Sequence, residues 1–169
     1  MSSSTRPVEW LTDEEQHTWV MLVGVLMNLP PAIDAQLKRD TGLNFFEYSI
    51  LVSLSRPMNH TVQMSLLAQS AGGSLSRLSH AVSRMEKQGW VRRKVNDSEV
   101  RCVEAVLTDA GMEMLRTAAP GHVTEIRRLI FDALTPEQVG QLLEISRAVL
   151  TRANPESADT MERIIAEQL

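Results

Sequence analysis

The chain has 169 residues, 43% of them hydrophobic and 22% charged, which is the composition of a globular protein rather than a disordered one. Its start is short and polar, and no apolar run approaches the ~20 residues that span a bilayer, so we expect neither a secretory signal nor a membrane segment. A single cysteine, Cys102, cannot form an internal disulfide and fits a reducing compartment, which predicts a cytoplasmic protein.

The N-terminal third of the chain predicts helices. Thr12 and Glu15 have the spacing of a capping box, which marks the start of the first helix. Its apolar residues recur at helical spacing: Trp19, Leu22, Val23 and Leu26. Pro30 and Pro31 interrupt this pattern before Gly42, and the sequence allows either one long kinked helix or two short ones. A second helix over residues 45–55 places Phe46, Ile50 and Leu54 on one face.

The middle of the chain predicts two helices followed by a hairpin. After the turn-rich segment 56–60, a compact helix carries apolar residues at positions i, i+3, i+4 and i+7: Met64, Leu67, Ala68 and Ala71. Gly72 and Gly73 end this helix, and Ser74 is placed to cap the next, which runs to about Gln88 and stops at Gly89. Residues 90–95 and 102–107 alternate or are β-branched around a polar 96–99 segment, which predicts a β-hairpin.

The C-terminal third is again helical. Thr108 caps a helix that we expect to be interrupted around Pro120–Gly121, and Thr135–Gln138 starts another. The predicted buried stripe of that second helix consists of Val139, Leu142, Leu143, Ser146 and Val149. Asn154–Pro155 then breaks the chain, and the apolar residues after position 160 predict a last amphipathic turn or two.

The helix over residues 74–88 carries two separate stripes. The apolar one, expected to pack on the preceding helix, consists of Leu75, Leu78, Val82 and Met85. The polar one has the same spacing displaced by two residues, about 200° around the helix, and consists of Arg77, His80, Arg84 and Lys87. Three serines, Ser76, Ser79 and Ser83, border the polar stripe, and Glu86 is the only acid of this helix. The polar stripe should therefore face away from the core.

The charge distribution points to a polyanion as partner. The net charge is −4, but residues 74–101 contain seven basic and three acidic residues, and the rest of the chain contains ten basic and eighteen acidic ones. A compact basic block in an acidic chain is typical of a nucleic-acid-binding surface, because the local field acts on the polyanion more than the total charge does.

Together these elements predict a mainly α fold with a winged helix-turn-helix and a small β-hairpin wing. In such a module the second helix enters the major groove of double-stranded DNA while the wing reaches the flanking backbone or minor groove. The predicted DNA contacts are Ser74, Ser76, Arg77, Ser79, His80, Ser83, Arg84 and Lys87 on the helix, with Arg93 and Arg101 on the hairpin.

The residues of this region resemble a known family. Residues 74–93, SLSRLSHAVSRMEKQGWVRR, are similar to the recognition-helix signature of MarR-type (multiple antibiotic resistance) regulators. Leu107–Gly111 resembles the Leu-Thr-x-x-Gly that follows the wing in this family. Gly42–Leu43 resembles the start of the family's Gly-Leu-(Thr/Ser)-x-x-(Gln/Glu)-(Trp/Tyr)-x-x-Leu segment, in which Tyr48 takes the aromatic position. The resemblance covers roughly residues 12–152. It departs at Glu99–Arg101, where the family commonly has Asp-x-Arg and a second basic residue.

The resemblance implies a homodimer joined through flanking N- and C-terminal dimerisation helices, a palindromic operator and often a small-ligand pocket. It divides the chain into residues 1–43 for dimerisation, 44–110 for DNA binding and 111–169 for dimerisation. It implies a transcriptional regulator, commonly a repressor that a small aromatic or apolar effector releases. Trp10, Trp19, Met21, Met27 and Met58 are candidates to line a ligand cavity, or else they form core and dimer contacts.

Other classes of function have less support in the sequence. A winged-helix module that binds protein instead of DNA is the main alternative. The chain shows no catalytic constellation of an enzyme and no cofactor motif, and its four histidines lack the spacing of a metal site. Cys102 is interpreted as a small apolar residue of a strand.

Overall fold

The computed structural model describes residues 8–96 and 102–166, which form seven α-helices and a three-stranded antiparallel sheet. The helices are α1 (Asp13–Thr41), α2 (Phe45–Ser55), α3 (Met64–Ser70), α4 (Leu75–Lys87), α5 (Asp109–Leu129), α6 (Pro136–Ala153) and α7 (Pro155–Ala166), with a 3-10 turn at Phe131–Ala133. The strands are β1 (Thr61–Gln63), β2 (Val91–Asn96) and β3 (Cys102–Leu107), in the order β1-β3-β2. The predicted mainly α, winged helix-turn-helix fold is confirmed.

The first helix is one continuous element, which decides between the two alternatives that the sequence left open. Its capping box is formed, with Glu15 N donating to Thr12 Oγ1 at 3.3 Å and Thr12 N to Glu15 Oε2 at 2.8 Å. The helix continues through Pro30 and Pro31 to Thr41. Each proline leaves the carbonyl four residues earlier without its helical donor. Those carbonyls belong to Leu26 and Met27, two residues that are exposed in the single chain.

The apolar core lies between the C-terminal half of α1, helices α2 to α4 and the sheet. The predicted inner face of α2 is buried, with Phe46, Ile50 and Leu54. On α3 the predicted Met64, Leu67 and Ala68 are buried, whereas Ala71 follows the end of the helix and is half-buried. The fully buried side chains at the centre of this core are Leu37, Leu43, Ile50, Leu51, Leu54, Leu67, Leu78, Val82, Met85 and Val91. Burial of this many large side chains fixes α4 against α2 and α3, since each contributes about 1.5–3 kcal/mol.

Helix α1 differs from the expectation that no segment is apolar enough to span a bilayer. By length and composition it is such a helix, and only 17% of its most apolar window is buried. The exposed apolar residues lie mainly in its N-terminal part and include Trp19, Val20, Met21, Leu22, Val25, Leu26 and Met27. An apolar face of this size requires a cover of protein or lipid.

Strand β1 is an element that the sequence analysis did not predict. It pairs antiparallel with β3, with Thr61 opposite Val106 and Gln63 opposite Glu104. A strand of three residues is too short for an alternating pattern to show, and it forms because β3 offers it a partner. The predicted hairpin of β2 and β3 is present on the other side, with Val91 opposite Leu107.

Helix α5 shows that the predicted interruption at Pro120–Gly121 is wrong, because the helix runs unbroken from Asp109 to Leu129. A Cβ atom at Gly121 would lie 3.2 Å from both Asp40 Oδ2 and Gln36 Nε2 of α1. Glycine at this position therefore lets α5 approach α1 closely, and it does not end the helix.

Two further C-terminal expectations are corrected. The α6 stripe is not buried in the single chain, since Leu142, Leu143 and Val149 are 40%, 48% and 54% exposed. Asn154–Pro155 begins a full helix instead of a short final turn, because the Asn154 side chain accepts a hydrogen bond from Ser157 N at 3.0 Å. Pro155, at the first helical position, needs no donor there.

Candidate nucleic-acid interface

Helix α4 begins and packs largely as its sequence predicts. Ser74 caps it by accepting a hydrogen bond from Arg77 N at 3.2 Å. Leu78, Val82 and Met85 are fully buried. Leu75, predicted to belong to the same buried stripe, is 54% exposed. At 100° per residue Leu75 lies about 70° from the middle of the buried face, at the very start of the helix, where the core does not cover it.

The opposite face of α4 is polar and open to solvent. Arg77, His80, Arg84 and Lys87 are all exposed, as are Ser74, Ser76 and Ser79, while Ser83 is half-buried. On a helical projection His80, Lys87, Ser76 and Ser83 lie at the centre of this outward face. Arg77 and Arg84 lie on one flank, next to α2, and Ser79 lies on the other flank, next to the wing. The structure thus divides the predicted polar stripe into a centre and two flanks.

Arg77 lies against the first turn of α2. Its guanidinium carbon is 4.2 Å from the centroid of the Phe46 ring, in the arrangement of a cation–π contact. Gly73 makes room for this ring, because a Cβ atom there would lie 2.6 Å from Phe46 Cζ. The turn between α3 and α4 therefore needs glycine at position 73 to hold Phe46 beneath Arg77.

Arg84 is paired with the next residue of α2. Its Nε donates to Glu47 Oε1 at 3.0 Å, and its Nη2 lies 2.9 Å from the same oxygen. The Arg84 side chain is 57% exposed and that of Glu47 is 10% exposed. This pair joins an open guanidinium to a nearly buried carboxylate.

Arg93 has a role in the structure that differs from the predicted DNA contact. It forms an ion pair with Glu86 of α4, and its Nη2 donates to Ser79 O at 2.8 Å and to Ser83 Oγ at 3.1 Å. Its backbone N also donates to Glu86 Oε1 at 2.9 Å. These bonds turn the side chain towards α4, so Arg93 fixes the wing to this helix.

Replacing Arg93 by alanine is expected to lower the free energy of unfolding by about 1–3 kcal/mol, because the charge-assisted bonds to α4 are lost. Arg92→Ala is the matched control, since Arg92 lies on the same strand with an exposed side chain; its effect should stay within about 0.5 kcal/mol. Urea denaturation at one fixed protein concentration measures both. Equal unfolding midpoints for the two variants would show that Arg93 does not tie the wing to α4.

The wing contributes further positive charge at its exposed edge. Arg92 and Lys94 of β2 are exposed. Successive side chains of a strand point to opposite faces, so Arg92 and Lys94 lie on the face opposite Arg93. This alternation is the sequence signal that distinguishes the two exposed residues from Arg93. Arg101 lies outside the described residues. The same holds for the whole segment Glu99–Arg101, where the sequence departs from the family pattern.

An open pocket of about 810 Å³ lies between α1, the start of α2 and α4. The residues that line it include Pro30, Asp34 and Lys38 of α1, Phe45 and Phe46 of α2, and Arg77, His80 and Arg84 of α4. Hydrogen bonds from Lys38 and from the Phe45 backbone N hold the pKa of Asp34 below its usual range. None of the five aromatic and methionine residues suggested for a ligand cavity lines this pocket, and all five are exposed.

Other chemistry has little support among residues 8–96 and 102–166. They contain no group of three or more His, Cys, Asp or Glu side chains placed to hold a metal ion. Cys102 is half-buried on β3, as expected for a small residue of a strand.

Comparison with known proteins gives consistent relatives. No model of a protein family matches the chain. The structure of Sco3205 from Streptomyces coelicolor, a MarR family transcriptional regulator in complex with DNA, is 45% identical with a TM-score of 0.83 and aligns over 86% of this chain and 95% of that one. AbsC, a MarR family regulator of the same organism, is 36% identical with a TM-score of 0.82, over 88% and 99% of the two chains.

A third relative is the transcriptional repressor MprA of Escherichia coli, 30% identical over 118 residues. The match covers 70% of this chain and 66% of the repressor's own length.

Proposed function

The chain belongs to the MarR family of transcriptional regulators, and on that premise we propose that it binds a palindromic operator in double-stranded DNA as a homodimer. Its relatives form a family of DNA-binding regulators and not of enzymes. The observation that carries the proposal is the outward face of α4, which is polar, basic and unobstructed in the single chain.

The proposed mode of binding places α4 in the major groove. The serines at the centre of its outward face are short enough to let the helix approach base edges, and Arg77 and Arg84 have the donors that read guanine. The wing, with Arg92, Lys94 and Arg101, would contact phosphates or the minor groove beside it. The 45% identity to a regulator crystallised with DNA supports this arrangement.

The proposed dimer covers the apolar surfaces that a single chain leaves open. These are the N-terminal part of α1 and the outer face of α6, where Leu142, Leu143, Ile145 and Val149 are 40–60% exposed. Exposed apolar surfaces on two helices of one chain are typical of an obligate interface and account for the apolar character of α1 without a membrane. Two recognition helices would then reach successive major grooves about 10–10.5 bp apart.

The pocket beside α4 supports regulation by a small effector. Phe45 and Phe46 provide aromatic surface, and Lys38, Arg77 and Arg84 provide positive charge, so the proposed effector has an aromatic or apolar body and an anionic group. An effector that binds better to the DNA-incompetent spacing of the two helices shifts the population and releases the operator. We propose repression as the outcome of DNA binding, because the relative MprA is named a transcriptional repressor.

A salt titration tests the proposed DNA binding against the alternative of a protein-interaction module. Each neutralised phosphate contributes about −0.9 to the slope of log affinity against log salt, so we expect a loss of about 10³-fold or more between 50 and 200 mM salt. Fluorescence anisotropy with a duplex selected from a random library measures this. Weak binding to duplex DNA that does not change with salt would contradict the proposal and favour the protein-interaction module.

A further inference from the structure

We propose that Glu47 of α2 is a specificity-determining residue of the DNA interface, because it fixes the orientation in which Arg84 meets the major groove. The inference rests on the proposed function, since it concerns how α4 reads DNA. It assigns a role to an acidic residue on a different helix from the one that enters the groove.

Both carboxylate oxygens of Glu47 accept hydrogen bonds. Its Oε2 accepts a hydrogen bond from Asn44 N at 3.1 Å, which completes the capping box of α2, and its Oε1 accepts from Arg84. Asn44 Oδ1 in turn accepts from Glu47 N at 2.9 Å. A side chain fixed by its own helix cap has little freedom to follow Arg84, so Arg84 must adapt to Glu47 instead of the reverse.

The start of α2 is itself anchored to the long helix α1. Asp34 Oδ1 accepts a hydrogen bond from Phe45 N at 2.9 Å, and Lys38 Nζ lies 2.6 Å from Asp34 Oδ2. Phe46, between Phe45 and Glu47, carries the guanidinium of Arg77 on its ring. One turn of α2, fixed to α1, therefore positions both arginines of the α4 flank.

The pairing leaves Arg84 able to read a base. A guanidinium has five N–H donors, and the contacts to Glu47 use its Nε and Nη2 edge, so the Nη1 group and the second Nη2 hydrogen remain available. Because the side chain is already ordered, less conformational entropy is lost when it binds a base. The negative charge of Glu47 also weakens the attraction of Arg84 to any phosphate, which lowers affinity for unrelated DNA.

Removal of the Glu47 charge should therefore change specificity more than affinity. In Glu47→Gln the amide can still serve in the capping box, since glutamine occupies this position as glutamate does. Arg84 loses its fixed partner and becomes a mobile cation. We expect the ratio of affinities for a selected duplex and a scrambled duplex of equal composition to fall about tenfold, with affinity for the scrambled duplex unchanged or higher.

The experiment compares five forms of the full chain by anisotropy on both duplexes: the unmodified chain, Glu47→Gln, Arg84→Ala, the double variant and Glu113→Gln. Glu113→Gln is the matched control, because Glu113 also pairs with an arginine, Arg116, but both residues are exposed on α5. We expect Glu47→Gln to have no further effect on the ratio once Arg84 is alanine, and Glu113→Gln to leave the ratio unchanged.

Several outcomes would overturn the inference. They are an unchanged ratio in Glu47→Gln, an equal loss on both duplexes, or the same effect of Glu47→Gln with and without Arg84. If the unmodified chain itself does not distinguish the two duplexes, the proposed function fails, and this result is distinct from the failure of the Glu47 variant alone.

Discussion

Glutamate at Val20 of α1 and at Ile145 of α6 is expected to convert the proposed homodimer into folded monomers that no longer bind the operator. Both residues are 60% exposed in the single chain, so the substitutions leave its core intact while they place charges in the proposed dimer interface. A monomer contacts only one half-site, and we expect its affinity for the operator to fall at least about a thousandfold, towards that of non-specific binding.

Sedimentation equilibrium and anisotropy measure the two parts of this prediction. Met58→Glu is the matched control, because Met58 is a fully exposed apolar residue outside α1 and α6. The control should sediment as a dimer and bind the operator as the unmodified chain does. A double variant that remains dimeric would show that α1 and α6 do not form the interface, and a monomer with full operator affinity would show that DNA binding does not need the dimer.

Alanine at Arg77 or at Arg84 is expected to remove operator preference. Each side chain is exposed on the flank of α4 that faces α2, and a base contact contributes about 1–3 kcal/mol, or about 5–150-fold in the preference for the operator over a scrambled duplex. Arg101→Ala should instead weaken binding to both duplexes alike, as expected of a backbone contact. Quantitative anisotropy on the two duplexes separates these effects.

Arg116→Ala provides the control for loss of a surface arginine. Arg116 is exposed on α5, and within the described residues 8–96 and 102–166 its one ion pair is with the nearby Glu113. Circular dichroism should show all four variants folded at 25 °C. Arg84→Ala should lower the melting temperature somewhat, because Glu47 loses its cation. A preference that survives both α4 substitutions would mean that other side chains read the operator.

The elements that the sequence predicted correctly are those whose signals are local. The helix starts at Thr12, Ser74 and Thr135 depend on a capping side chain within three residues, and each cap is formed. The hairpin of β2 and β3 likewise follows from alternation over adjacent residues. The division of the chain into residues 1–43, 44–110 and 111–169 stays a prediction, and α7, in the last of these ranges, packs against α3 in the second.

The expectations that failed depended on neighbours that the sequence does not reveal. Gly121 looked like a helix break, but its missing side chain is explained by the close approach of α1. The α6 stripe has the spacing of a buried face, but spacing does not show whether the same chain or a partner covers it. Strand β1 exists only because β3 lies beside it.

The sequence by itself determined the winged helix-turn-helix and the outward polar face of α4, because both follow from helical periodicity and local caps. Only the tertiary structure decided what the arginines of α4 and of strand β2 contact. It directs Arg93 to Glu86 of α4, and it places Arg77 on Phe46 and Arg84 on Glu47 of α2. The physical reason is that a long arginine side chain reaches partners on other elements, and the packing of those elements sets which partners are within reach.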